Sequence, residues 1–483
     1  MTNILKKIDF GNEAGDDVEY AELKTYFVSL PIFDEIFSLE NKIKLVTAKK
    51  GIGKSALLKY LYFKLQEEEQ NSLIIYCRGS ELVRTQFAIK ATPETPNEYI
   101  RDWMIRLAAL ANRKIASSIK IPLSENDLSI IESSEIEGFK EKNFLLALLD
   151  RFSGLADKYY PKAVGIKSEI EAFKRIKNKS IIFIIDDLDA TFQNTSKELM
   201  ELSTFFSAVR YLTQDIKAVS FRISLRGNVW TTIRKYDEAL DKFEQYRLDL
   251  AWNYQEMHLL IDERILSELR KMVSDHLISK VIKNTPKNEL QYCIMAQKMM
   301  WGDKSVDSFQ VINTLSYNRP RWAIQLLKLA QKDALSKDST AIQKANIDNV
   351  WEEYGNKRIA DLVSEHKHQC LEILNLINAF RLSERKMERD ILFGYINKHI
   401  LSHFKPTVDG KIRNTPLDIA QFLYRIGFII GRVEFDDEKQ YRHLFFEEFP
   451  DLLITPASND FNCKWEIHPC YREALSIKKL SKR

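Results

Sequence analysis

Short strand-like runs, mostly apolar, alternate along the chain with longer stretches whose apolar positions recur every three or four residues. The runs fall at 43–47, 72–77, 180–185, 218–225 and 247–250. Residues 181–185 (Ile-Ile-Phe-Ile-Ile) have no polar face, which suits a parallel strand buried on both sides. Helical patterns lie between the runs. Leu57, Leu58, Leu61 and Leu65 share one face, as do Leu199, Leu202, Phe205, Phe206, Val209 and Leu212, with Thr195 and Glu198 at capping-box spacing just before the second set. Strands alternating with helices predict an α/β fold, a parallel sheet flanked by helices.

The pattern divides the chain. Residues 1–38 form an N-terminal segment with an amphipathic stretch around 23–37, and 39–255 form the α/β core. Residues 85–178, helical with polar interruptions, read as a helical insertion in that core. Residues 256–350 are almost wholly helical and read as a lid. In 351–483, helices lead to a stop at Gly427. Strands at 428–430 and 464–467 follow, separated by a long polar excursion. With a final helix, the order helix, strand, long hairpin, strand and helix is winged-helix-like. There are no internal repeats.

The first strand runs into Ala48-Lys49-Lys50-Gly51-Ile52-Gly53-Lys54-Ser55, a Walker A pattern except that Ala48 stands at the first glycine position. Gly51 and Gly53 permit the tight turn that aims successive N–H groups, Ile52 and Ala56 included, at a β-phosphate. Lys54 reaches the β- and γ-phosphates, Ser55 offers a hydroxyl to Mg²⁺, and the helix N-terminus adds positive potential. The strand-to-helix context is the one this motif requires. It predicts binding of ATP or GTP.

The run 181–185 ends in Asp186-Asp187-Leu188-Asp189, carboxylates at a strand's C-terminal edge, where open α/β sheets bind ligands. Asp186 is placed to hold Mg²⁺ and Asp187 to orient or deprotonate an attacking water; Asp189 assists or caps the next segment. The strand 218–225 ends at Ser224-Leu225-Arg226-Gly227-Asn228. Arg226 is the candidate γ-phosphate sensor, with Ser224 and Asn228 behind it. Pro320 in Asn318-Arg319-Pro320-Arg321-Trp322 suits a first helical turn. Arg321 is the candidate to reach nucleotide from the lid, and Trp322 packs.

Composition narrows the partners. The 483 residues are 45% hydrophobic, ample for two or three domains, and 72 basic against 68 acidic side chains leave a net charge of +4. Any nucleic-acid surface must therefore be local. A basic excess across 381–413 could contact phosphates. Residues 432–451, where the wing would fall, carry three bases (Arg432, Lys439, Arg442) against seven acids (Glu434, Asp436, Asp437, Glu438, Glu447, Glu448, Asp451) and suit a protein partner better. Five scattered cysteines without a CxxC pair fit a reduced interior. No apolar run approaches the ~20 residues of a membrane span, and the expected location is cytoplasmic. His366, His368 and Cys370, and Cys463, His468 and Cys470, lack paired zinc spacing and read as ordinary surface and core residues. Trp230 and Trp252 read as packing residues.

Together the phosphate loop, the DDLD strand end, the sensor arginine, the lid and the winged-helix order resemble AAA+/STAND-type P-loop ATPases of bacteria. The FIIDDLD run also resembles that of the KAP ATPases. SLRGNVW (224–230), the stretch 250–265 and NRPRWAIQLL (318–327) resemble a bacterial P-loop ATPase group with relatives in phage-defence or mobile-element loci. The resemblance implies ATP with Mg²⁺, and Lys54, Ser55, Asp186 and Asp187 as ATPase residues with Arg226 and Arg321 as sensors. It also implies a homo-oligomer, with an arginine finger from Arg222, Arg234 or Arg247, that switches a separate effector protein, in anti-phage defence. A DNA-binding loader or transposition ATPase and an ATP-binding scaffold without turnover are the alternatives. Two departures stand out: Ala48 in the loop, and no hhGRE-type sequence before it.

Overall fold

The computed structural model describes residues 3–69, 72–84, 93–118, 180–190, 192–215, 219–435, 441–455 and 460–478. Of the expected helical insertion, 85–92 and 119–178 lie outside the described residues. The chain forms two compact units, one spanning Ala14–Trp252 and the other combining 1–13 with 253–483. The N-terminal segment is thus shared. Its opening helix α1 (Ile4–Lys7) belongs to the second unit, while α2 (Tyr20–Tyr26) and α3 (Pro31–Phe37) belong to the first.

In the first unit the chain runs β1 (Ile43–Ala48), α4 (Lys54–Glu68), β2 (Ser72–Arg78), α5 (Gly79–Arg84), α6 (Pro96–Ser118), β3 (Ser180–Asp186), α7 (Ser196–Asp215), β4 (Val219–Arg226), α8 (Gly227–Tyr236) and β5 (Arg247–Asp249). The strands form one sheet in the order β2-β3-β4-β1-β5, every pair parallel. β3 is buried along its apolar length, as a strand covered on both faces must be. The expected capping box of α7 is made: Glu198 N–H donates to Thr195 Oγ1 at 3.3 Å, and Thr195 N–H to Glu198 Oε2 at 3.0 Å. Leu202, Phe205, Phe206, Val209 and Leu212 of that helix enter the core beneath the sheet.

β4 carries one charge inside this core. Arg222 is fully buried and donates Nε to the Ile36 carbonyl at 2.6 Å and Nη2 to the Ser38 carbonyl. Those carbonyls close α3, where a helix leaves acceptors unpaired. Burial lowers the Arg222 guanidinium pKa to about 10, still protonated near neutrality.

In the second unit, Leu5, Ile8 and Phe10 are buried among the helices, and Gln331 Nε2 donates to the Leu5 and Ile8 carbonyls at 2.7 Å each. The helices are α9 (Tyr254–Lys271), α10 (His276–Asn284), α11 (Ser308–Ser316), α12 (Pro320–Ser336) and α13 (Lys344–His366), with a hairpin β6 (Lys298–Trp301) and β7 (Lys304–Asp307) before α11. Then come α14 (Ile373–Asn378), β8 (Lys386–Met387), α15 (Arg389–Ile396), β9 (Thr407–Val408), β10 (Lys411–Ile412), α16 (Pro416–Arg425), β11 (Ile429–Glu434), β12 (Tyr441–Leu444) and β13 (Lys464–Ile467). An antiparallel sheet of order β12-β11-β13-β8 covers α15 and α16. Of the helix, strand, long hairpin, strand and helix expected after residue 351, α16, β11 and β13 are present, with 436–440 and 456–459 between the strands outside the described residues; after β13 the described residues hold only a short 3-10 turn, Pro469–Tyr471, and no closing α-helix. Gly427, φ 74°, ends α16 in a left-handed turn, and an added Cβ there would fall 2.8 Å from the Tyr317 hydroxyl.

Candidate nucleotide site

In an all-parallel sheet every strand delivers its carboxyl end to one edge, and here the conspicuous residues gather there. Pairing aligns Ala48 with Arg226, and Arg78 with Asp186. β4 lies between the strand that feeds the phosphate loop and the strand that carries the acids, so its tip is the natural bridge between them.

The loop has the backbone its sequence predicts. Gly51 (φ 82°) and Gly53 (φ 110°) are both left-handed, and α4 starts at Lys54. Lys54 is buried, and its Nζ donates to the Ala48 carbonyl at a long 3.4 Å. An ammonium has three donors, and one long bond leaves capacity for phosphate oxygens. Ala48, the departure from the pattern, is the last residue of β1 and needs no glycine conformation there.

At the acidic edge Asp186 is buried and closely held. Its Oδ1 accepts the Ser224 hydroxyl and, at 3.0 Å, the Asp187 N–H, and its Oδ2 accepts the Tyr76 hydroxyl at 3.2 Å. Asp187 is half-buried in the left-handed region at φ 49°, its N–H also 3.0 Å from Ser224 Oγ. Gly79 makes the turn possible from the other side, because a Cβ there would lie 2.2 Å from Leu188 Cα. Asp189 is buried and holds Arg226, accepting its Nε at the carboxylate and its Nη2 at the carbonyl. Beneath this edge, burial aided by Glu81 and Asp186 pushes the Cys77 thiol up to about 12, so it stays neutral.

The fold brings Lys54, Ser55, Asp186, Asp187, Ser224 and Arg226 into one unit, at the carboxyl edge of one sheet. Arg321 belongs to the other unit, at the start of α12, where its Nε donates to the Glu13 carbonyl at 3.4 Å. Its neighbour Arg319 is buried, paired with Glu365 at 2.8 Å and set over Trp322, so half of the NRPRW motif serves the core. Among the finger candidates, Arg222 is committed to α3 and out of a neighbour's reach. Arg234 pairs with Asp241 at 2.9 Å and 3.5 Å from Glu244, and Arg247 pairs with Glu244 and Asp249.

Sequence reasoning missed two partners. Tyr76 was readable only as an aromatic residue near the end of an apolar strand. Trp252 donates its indole N–H to the Ile52 carbonyl inside the loop at 2.8 Å, a backbone acceptor 200 residues away that no motif announces.

A five-stranded parallel sheet with this loop at a strand-to-helix junction defines a P-loop NTPase fold. Residues 41–216 match the KAP family P-loop domain, and residues 256–363 match the FunZ-associated C-terminal helical domain. No curated protein matches the chain. Similar solved structures include Aeropyrum pernix ORC2 in its ADPNP–ADP complexes, with 12% identity over 94% of this chain and 90% of that one, TM-score 0.40. A Walker-type ATPase of Pyrococcus abyssi has 14% identity over 95% of each chain, TM-score 0.38. Cdc6p of Pyrobaculum aerophilum has 9% identity over 92% and 96%, TM-score 0.31. Among the described residues no helix is long and apolar enough to cross a membrane, and no group of three or more His, Cys, Asp or Glu could hold a metal ion.

Proposed function

We propose that this chain hydrolyses ATP with Mg²⁺ and uses the nucleotide state to switch its own assembly and, through it, a separate effector protein. The observation that carries the reading is the grouping of the buried Lys54 and the paired acids Asp186 and Asp187 at the carboxyl edge of one parallel sheet. The Gly51–Gly53 turn and the N-terminus of α4 bind the β-phosphate, and Lys54 balances the charge of the β- and γ-phosphates. Asp186, a buried carboxylate with hard oxygen donors, and Ser55 fit Mg²⁺, which supplies charge neutralisation across the phosphates when bound. Asp187 orients a water and takes its proton as the water oxygen bonds to the γ-phosphorus. The bond from that phosphorus to the β,γ-bridging oxygen breaks, and ADP leaves with the electron pair. Arg226, held by Asp189, reads the γ-phosphate. Anti-phage defence is the setting that the family resemblance suggests for such a switch.

A DNA-binding loader is the second reading. The partial winged-helix order in 351–483 and the exposed Lys398, Lys405 and Lys411 around α15 and the β9–β10 hairpin favour it. The deciding assay is Mg²⁺-dependent ATP hydrolysis by the wild type and Asp187→Asn, each with and without duplex DNA. Turnover in the wild type that the variant loses supports the catalytic assignment of Asp187, and turnover indifferent to duplex favours the switch. Strong, salt-sensitive stimulation by duplex favours the loader. Bound nucleotide without turnover under every condition favours the scaffold, or a switch awaiting its partner.

A further inference from the structure

Trp252 lies outside every motif of the site, yet it is bonded to the phosphate loop itself. Its position follows from register. β5 runs parallel to β1 with Leu45 opposite Arg247 and Thr47 opposite Asp249, and the Leu250 N–H donates to the Thr47 carbonyl at 2.8 Å. The Thr47 hydroxyl donates to the Asp249 carboxylate, and Arg247 Nε donates to Thr47 Oγ1 at 3.1 Å. The segment is thus laced to the exit of β1. Two residues past Leu250, Trp252 is buried with its indole N–H on the Ile52 carbonyl.

Ile52 sits between Gly51 at φ 82° and Gly53 at φ 110°. In a planar trans peptide the carbonyl of Ile52 and the N–H of Gly53 point in opposite directions. A donor that fixes the carbonyl therefore fixes the N–H. Gly53 at one end of this peptide leaves it room to rotate, and a buried indole bond removes that freedom before ligand arrives.

We propose that Trp252 is a positioning residue of the phosphate loop, holding the Ile52–Gly53 peptide so that the Gly53 N–H is presented to the phosphates of a nucleotide. The proposal rests on the reading of this loop as an ATP site. Trp252 contributes ground-state binding: it acts on the cradle for the β-phosphate, which ATP and ADP share, and leaves the proton-accepting Asp187 untouched.

The test compares wild type, Lys54→Ala and Trp252→Phe for binding of a fluorescent ATP analogue and of ADP, for KM and kcat, and for nucleotide-induced change in tryptophan emission. Phe keeps an aromatic ring in the site and removes the donor, with some loss of packing volume. Expected is a roughly tenfold weaker Kd for both nucleotides in Trp252→Phe, a matching rise in KM, kcat within about threefold, and loss of the emission change. A merely structural role moves melting temperature without that split. Binding within twofold of a nucleotide-binding wild type overturns the proposal. A wild type that binds no better than Lys54→Ala sinks the ATP-site reading itself, and this inference with it. Should Trp252→Phe fail to fold, hydrogen exchange of the wild type decides. A non-hydrolysable ATP analogue that slows exchange in both 49–56 and 250–253 supports the proposal, and slowing in 49–56 alone overturns it.

Discussion

A left-handed backbone at Asp187 (φ 49°) is a conformation that Asp and Asn tolerate better than most residues. Asp187→Asn can therefore keep the turn and lose only the charge and basicity, so its effect on rate is interpretable. Turnover should fall at least about a hundredfold while ATP binding persists, as read by parallel kinetics and binding assays. Gly79 is constrained by its neighbour: with Leu188 Cα 2.2 Å from where a Cβ would sit, Gly79→Ala must push the acidic loop aside. A loss of about 1–3 kcal/mol in denaturant unfolding is expected. Both positions show that glycine and aspartate identities here answer to backbone shape. The sequence names the loop glycines, whose spacing is a motif, but not Gly79, whose constraint comes from another strand.

At the scale of elements, Arg222 and Glu466 show charges used as internal fasteners. Arg222→Met leaves the Ile36 and Ser38 carbonyls without their donor. It should free α2–α3 from the core, with faster proteolytic cleavage within 27–42 and a loss of about 2–4 kcal/mol. In the C-terminal sheet, Glu466 on β13 is fully buried and meets Arg432 at 2.8 Å, Arg472 at 2.9 Å and His443 at 3.3 Å. Burial raises its pKa, but the His443 hydrogen bond and the charges of Arg472, Arg385 and Arg432 outweigh it and hold the carboxyl well below the usual range. A depressed folded-state pKa contributes stability that is complete above the unfolded value of about 4.3 and is lost as pH falls below it. The wild type should thus lose stability on acidification below about pH 5, whereas Glu466→Gln, less stable at pH 7 by about 3 kcal/mol, should show a flatter curve and approach it at low pH. Neither fastener was legible. A lone Arg in an apolar strand reads equally well as a finger, and the acids of 432–451 read as a net surface charge although Arg432 and Glu434 are paired at 3.0 Å within the sheet.

For the whole molecule, the division into two units places 1–13 with 253–483 and the phosphate loop in the other unit. Ligand that binds only the folded loop stabilises the unit that holds it. MgATP at a hundred times its Kd should raise the unfolding free energy of Ala14–Trp252 by about 2.7 kcal/mol, and Lys54→Ala should abolish the gain. Pulse proteolysis with peptides assigned to each unit measures both.

The sequence by itself determined what depends on periodicity and short-range spacing. This covers the parallel strands, the capped α7, the turn at Gly427, the phosphate loop and the acidic strand end, since each is written within a dozen residues and local chemistry suffices to specify it. Strand order was left to the tertiary structure, and strand order decides which tip stands beside which. It set β4 between loop and acids, gave Asp186 its Ser224 and Tyr76 partners, committed Arg226 to Asp189, buried Arg222 and Arg319, and carried Trp252 to the Ile52 carbonyl. Those pairings join residues tens to hundreds of positions apart, often through backbone atoms that every residue possesses. Such contacts have no signature in a sequence until the chain has folded.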